Sequence, residues 1–222
     1  MSDTPESVNI EPFQVRDCAL VVLGTGKKAQ NLREFLEGLQ EVPTSSIYHH
    51  FWGRFLQSQF DEPEYNNDFA AWVYHGLHEK ALAEQLSVID PTEYDDIEDL
   101  RMELVEVVEE RLDQSEYIPW AKTDQLFHFL RSQIVVFDTG RRIEDPKELP
   151  SLVPDLSQGS IFYHFIDARR RTPERCDDFS AWLAAFGEEY EDLRRSILAI
   201  DPYFSSLKDL RHILTDILST YF

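Results

Sequence analysis

Cysteine, methionine and lysine are scarce in this chain of 222 residues, which holds two Cys, two Met and only six Lys beside 15 Arg. Cys18 and Cys176 are too few for a disulfide framework and lack metal-ligand spacing, so both are read as reduced thiols in packing or surface positions. No apolar run approaches the roughly 18 residues that would span a bilayer. Positive charge is in deficit, with 21 Lys+Arg against 42 Asp+Glu, a formal charge of −21 and a pI near 4.6. Such a field repels phosphate at long range and excludes an unaided binder of nucleic acid or of an anionic membrane. The opening Met1-Ser2-Asp3-Thr4-Pro5-Glu6-Ser7 places acids where a secretory signal needs basic residues followed by an apolar run, which predicts a cytoplasmic protein. A Gly-x-Ser-x-Gly elbow, a Cys-x-x-Cys pair and a dinucleotide fingerprint are also missing, which lowers the expectation of an enzyme.

Hydrophobic residues at 42% and aromatic residues at 13% are too many for a disordered acidic chain, so a packed core is expected. When the second half is slid back over the first, Phe13–Phe51 aligns without a gap on Phe127–Phe165, with 10 of 39 pairs identical. Val21-Val22-Leu23-Gly24-Thr25-Gly26-Lys27-Lys28 matches Val135-Val136-Phe137-Asp138-Thr139-Gly140-Arg141-Arg142. Further matches follow in order, Ile89-Asp90-Pro91 on Ile200-Asp201-Pro202 and Asp99-Leu100-Arg101 on Asp209-Leu210-Arg211. The pattern predicts a flexible N-terminal tail over residues 1–10, an acidic first repeat over 11–113, a linker over 114–124 and a second repeat over 125–222.

Each repeat opens on a β-branched run, Ala19–Leu23 or Ile134–Phe137, that a Thr-Gly turn and a basic pair would stop, which reads as one short strand. Helical spacing dominates the rest. Ile47, Phe51 and Phe55 share a face of a helix starting near Thr44 or Ser45, and Phe69, Trp72, Val73, Gly76 and Leu77 recur likewise. Phe179, Trp182, Leu183, Phe186, Tyr190, Leu193 and Ile197 continue such a stripe in the second repeat. Ser206 followed three residues later by Asp209 resembles a capping box at the start of the last helix. The predicted fold class is mostly α: two tandem repeats, each a small helical bundle with one short β-strand, pseudo-twofold related, with the two strands free to pair.

The segments Ser46-Ile47-Tyr48-His49-His50-Phe51 and Ser160-Ile161-Phe162-Tyr163-His164-Phe165, followed by Asp68-Phe69-Ala70-Ala71-Trp72 and Asp178-Phe179-Ser180-Ala181-Trp182, resemble a bacterial family catalogued only as a domain of unknown function. The likeness covers nearly all of the chain and is closer in the second half. It implies no activity, cofactor or catalytic residue.

His50 and His164 recur in both halves on the apolar face of their helix, and an imidazole placed there needs a partner. Asp68 and Asp178 stand in the first turn of the next helix, where a carboxylate is favoured and can accept from the histidine. The pairs His50–Asp68 and His164–Asp178 are thus either general acid–base couples or buried hydrogen bonds that fasten two helices, and their occurrence in both halves favours the fastening role. His49, with His75 and His78 on one helix face and Glu79 adjacent, forms a weak candidate set for a divalent metal, confined to the first half because Ala185 and Glu188 stand at the matching positions. No cofactor is called for. Arg101 and Arg211 are placed to extend the His–Asp pairs into His–Asp–Arg networks or to make surface ion pairs, and Trp72 and Trp182 read as core anchors. Gly24-Thr25-Gly26-Lys27-Lys28 lacks phosphate-loop spacing and reads as a turn.

Acidity is uneven: residues 1–118 hold 25 acids and 8 bases, residues 119–222 hold 17 and 13. Glu98, Asp99, Glu103, Glu106, Glu109, Glu110 and Asp113 flank one apolar stripe. The leading expectation is a non-catalytic interaction or scaffold protein whose acidic first repeat meets a basic protein surface, with self-association open. A small metal-dependent or His/Asp acid–base enzyme is the alternative, and an acidic nucleic-acid mimic docking into a basic cleft is the third.

Overall fold

The computed structural model describes residues 10–56, 64–114, 123–203 and 205–222. Residues 1–9 of the expected tail and 115–122 of the expected linker lie outside the described residues. Two strands of 17 residues each, β1 (Phe13–Ala29) and β2 (Phe127–Ile143), form a two-stranded sheet. Thr25 lies against Phe129 and Thr139 against Val15, their hydroxyls donating to the facing carbonyls at 2.6 Å in both cases, which makes the pairing antiparallel. The chain divides into two compact units, one comprising Leu20–Val135 and the other the chain up to Ala19 together with Val136–Phe222. Each strand therefore serves both units, and each unit holds one half of the ladder.

In the Leu20–Val135 unit the described residues between the two strands form α1 (Leu32–Glu41), α2 (Thr44–Trp52), α3 (Asp68–His75), α4 (Lys80–Ser87) and α5 (Ile97–Asp113). The starts are written locally. Asn31, Asn67 and Asp96 are extended residues whose side chains accept from the first-turn amides of α1, α3 and α5. Phe35 sits at the centre of the core, its ring 5.1 Å from Trp72, 5.3 Å from Phe127 and 5.8 Å from Phe69. Phe127 and Phe129 reach this core from β2, and a Cβ added at Gly38 of α1 would overlap the Phe129 ring, so only glycine permits the approach.

The second unit pairs the start of β1 with the end of β2 and adds α6 (Leu149–Leu152), α7 (Gln158–Ile161), α8 (Ala168–Arg171), α9 (Asp178–Ala184), α10 (Glu191–Leu198) and α11 (Leu207–Tyr221), with a π-helical turn at Phe162–Asp167 between α7 and α8. Phe13 of β1 fills its core, 5.1 Å from Phe179 and 5.5 Å from Trp182. The Trp182 indole donates to Glu11 O at 2.9 Å, and in the first unit Trp72 donates to Gln125 O, so each polar end is satisfied by the residues that lead into a strand; Trp72 is buried as a core anchor, whereas Trp182 is half-buried. Ser206 caps α11 by accepting from Asp209 N.

The fold is mixed α/β and corrects the expectation of a mostly α chain of two tandem repeats, each a pseudo-twofold-related helical bundle with one short strand. The compact units cut across the sequence halves, because Phe13 and Val15 are buried in the unit that holds α6–α11 whereas Phe127 and Phe129 are buried with α1–α5. The strands also outrun the β-branched runs. Gly26 and Gly140 adopt φ of +82° and +74° without ending the ladder, so the Thr-Gly pairs lie within strands and do not stop them. The long apolar stripe of Phe179–Ile197 is split at Gly187, at φ +73°, into α9 and α10.

Candidate functional site

Ile47, His50 and Phe51 fall three and four residues apart on α2, so burying the apolar stripe also buries the imidazole, and His50 retains 2% exposure. Its Nε2 lies 3.1 Å from the amide of Leu130 in β2, and its Nδ1 lies 2.9 Å from Asp68 Oδ2 at the start of α3. An amide can only donate, so Nε2 accepts and the ring proton resides on Nδ1, which donates to the carboxylate. The imidazole is neutral and has no lone pair or proton left over. His164 repeats this geometry in the other unit: Nε2 accepts from Arg16 N at 2.9 Å, Nδ1 donates to Asp178 Oδ2 at 2.7 Å, and the ring is 2% exposed. Each histidine thus ties its own helical segment, the helix that its aspartate begins and a strand together.

The surroundings of the two pairs differ. In the His164 cluster the π-helical turn, all of whose residues are buried, carries Asp167, which accepts from Arg170 Nε at 3.0 Å and Arg171 Nε at 3.1 Å. Arg171 Nη2 also donates to Asp178 Oδ2 at 3.0 Å and to Tyr163 O at 2.8 Å, and its guanidinium lies 3.9 Å from the centre of the Tyr163 ring. Asp177 caps α9 through Ser180 N and Ser180 Oγ. It is fully enclosed, and burial raises its carboxyl above the usual range against the pull of those hydrogen bonds. The Cys18 thiol, buried and 3.3 Å from Gly159 O, is pushed up to about 12, first by burial and then by the Asp167 and Asp17 charges, so it is inert.

Beside His50, His49 is also buried, with Nδ1 2.5 Å from Ser132 Oγ. Gly53 makes room for the ring, since a Cβ there would meet Nδ1 at 2.5 Å. Burial, and next the neighbouring His50, lower the His49 pKa to about 4 against the opposing Asp68 charge, leaving it neutral at pH 7. His49, His50 and Asp68 offer ligand atoms within 4.8 Å of one another. The set does not suit a metal ion, because a cation on His50 Nδ1 would strip the last ring proton while Nε2 still accepts from Leu130, leaving an imidazolate. His75 and His78 join no such group among the described residues. His75 is exposed and 3.7 Å from Glu64, and His78 adopts φ +58° just past the end of α3. Glu79 instead pairs with Arg111 at 2.7 Å.

Of the two roles open to Arg101 and Arg211, neither residue takes that of extending a His–Asp pair. Arg101 donates to Leu39 O at the end of α1 and lies 3.0 Å from Glu98, and Arg211 donates to Leu156 O at 2.8 Å. Each ties the last helix of its unit to a nearby carbonyl. Lys27 of the Gly-Thr-Gly segment pairs with Glu41.

Residues 10–219 match a family of unknown function, DUF5752. The chain belongs to this family. No curated protein matches this DUF5752 member. Among solved structures, OrfY from Thermoproteus tenax is similar, with 27% sequence identity, 95% of each chain covered and a TM-score of 0.80. Among the described residues, no helix of the DUF5752 chain is long and apolar enough to cross a membrane.

The acidic run that the sequence places beside one apolar stripe lies on α5, and Met102 within it was not singled out. Met102 is 57% exposed and, with Gln40, Arg101, Val105, Glu106 and Glu109, lines an open groove between α1 and α5. Gln40 Nε2 donates to Glu109 Oε1 at 3.2 Å across it. The exposed methionine inside an acidic run was the available signal.

Proposed function

We propose that this protein is a non-catalytic interaction protein that receives a basic partner on the α5 face of the Leu20–Val135 unit. The observation that carries the reading is Met102 standing exposed in a groove walled by Glu106 and Glu109. A large exposed apolar side chain with two carboxylates on the same groove suits a cationic amphipathic segment, which brings an apolar contact and an opposite charge together. The fully committed ring nitrogens of His50 and His164 support it, since neither residue can exchange a proton with a substrate without dismantling its own hydrogen bonds. Cys18 and Cys176, both free and buried, accord with a reducing compartment such as the cytoplasm.

Titrating a labelled amphipathic Lys/Leu helical peptide tests the reading by fluorescence anisotropy at two salt concentrations. Binding that weakens steeply with salt, and that falls by about tenfold in a combined Met102→Ser, Glu106→Gln, Glu109→Gln variant, supports it. Absence of binding at low salt, or binding indifferent to the triple substitution, overturns it.

A further inference from the structure

The two His–Asp pairs differ in what meets the carboxylate from the solvent side. Asp178 is held by His164 at 2.7 Å and by the Arg171 guanidinium at 3.0 Å, and its side chain is 19% exposed. Asp68 makes the same bond to His50 at 2.9 Å, yet its side chain is 42% exposed, and no Lys or Arg of the described residues forms an ion pair with it. The sequence that precedes it, Gln57 to Asn67, contains no Lys, Arg or His, whereas the stretch before Asp178 supplies Arg169, Arg170, Arg171 and Arg175. One carboxylate has its guanidinium built in, and the other lacks one.

We propose that Asp68 is the seat for an arginine side chain of the basic partner, held by two N–H bonds where Asp178 accepts a single one from Arg171 Nη2. This deepens the reading of a basic partner on the same unit and rests on it. His50 Nδ1 donates one hydrogen bond to Oδ2 and so fixes the orientation of the carboxylate, while a carboxylate has about four acceptor sites, leaving room for a two-pronged donor. A guanidinium fills such a site with two parallel N–H bonds, whereas an ammonium offers a point charge that water serves as well. The site therefore selects arginine over lysine. The groove on α5 supplies charge and apolar contact without that choice.

Octa-arginine and octa-lysine peptides distinguish the two levels. Asp68→Asn keeps an oxygen that accepts from His50 and removes only the charge. It is expected to weaken octa-arginine binding about tenfold and octa-lysine binding less than threefold. Glu106→Gln with Glu109→Gln is expected to weaken both peptides alike. Should the Asn variant fold poorly, titration of the wild-type protein with N-acetylarginine amide is to shift the His50 ring nitrogen resonances first, while the lysine analogue leaves them in place. Octa-arginine binding unchanged by Asp68→Asn, or His50 resonances indifferent to the arginine amide, overturns the Asp68 site and leaves the α5 reading standing. Failure of both peptides to bind wild-type protein overturns both readings.

Discussion

Two imidazoles set the terms at the scale of single residues. Truncating His50 to alanine removes the acceptor of the Leu130 amide and the donor to Asp68 from a site with 2% exposure, and His164→Ala does the same to Arg16 and Asp178. An orphaned buried amide and a new cavity together cost about 2–4 kcal/mol, so each variant is expected to unfold at markedly lower urea, a shift readable by circular dichroism. An unchanged midpoint would remove the fastening role. His49 carries a pH signature. Its pKa falls from the ordinary 6.5 to about 4 in the folded chain, so the unfolded chain takes up the proton first. Its contribution is complete above pH 6.5 and is lost as pH falls through about 4. Urea unfolding at pH 7 and pH 4.5 is expected to show a stability loss on the order of 1–3 kcal/mol that shrinks in His49→Gln. An identical pH dependence in the variant would contradict it. The pairing of each histidine with an aspartate was legible from chemistry and spacing. The amides of Leu130 and Arg16 were not, because every residue carries one and only the fold decides which amide faces a ring nitrogen.

Among the elements, α2, α3, α5 and α11 were legible, α1 and α4 were not singled out, and the strands were read too short. Apolar spacing and a capping residue such as Ser206 act within a few positions, so they can be read without knowing the rest of the chain. The ribbon is different: Gln14, Arg16, Gly24 and Lys27–Lys28 are exposed and not β-branched, and they are held extended by cross-strand partners more than 100 residues away. β-Propensity answers to such partners more than to the residue itself. The contact of α1 with β2 shows how close the fit is. Gly38→Ala drives a methyl group into the Phe129 ring, which must move along with Phe35, 5.9 Å away, and Phe127, 4.8 Å away. Overpacking of this kind costs roughly 1–3 kcal/mol, so calorimetry is expected to show a lower melting temperature for Gly38→Ala. A melting temperature at or above that of wild type would mean that the ring has room to give.

Across the whole molecule, the units divide the chain in a way that makes the sequence halves interdependent. A fragment of residues 11–113 lacks Phe127, Phe129 and the Leu130 amide that complete the core around Phe35 and His50. It is expected to be unfolded by circular dichroism, whereas a fragment of residues 20–135, which retains all three, is expected to fold cooperatively. A cooperative native-like melt for 11–113 alone would contradict the division. Charge regroups with the units as well: Leu20–Val135 holds 22 acids and 9 bases, so the acidic character belongs to the unit that carries α5 and Asp68. The amino-acid sequence by itself determined where helices begin, which faces are apolar, that two His–Asp pairs form and that one part of the molecule repels anions, since propensity, capping, periodicity and charge act locally or in bulk. Only the tertiary structure decided that the strands run for 17 residues and that Arg171 pairs with Asp178 while no Lys or Arg of the described residues pairs with Asp68. Those outcomes depend on which distant backbone and side-chain groups are brought within hydrogen-bonding reach, and spacing along the chain does not record that.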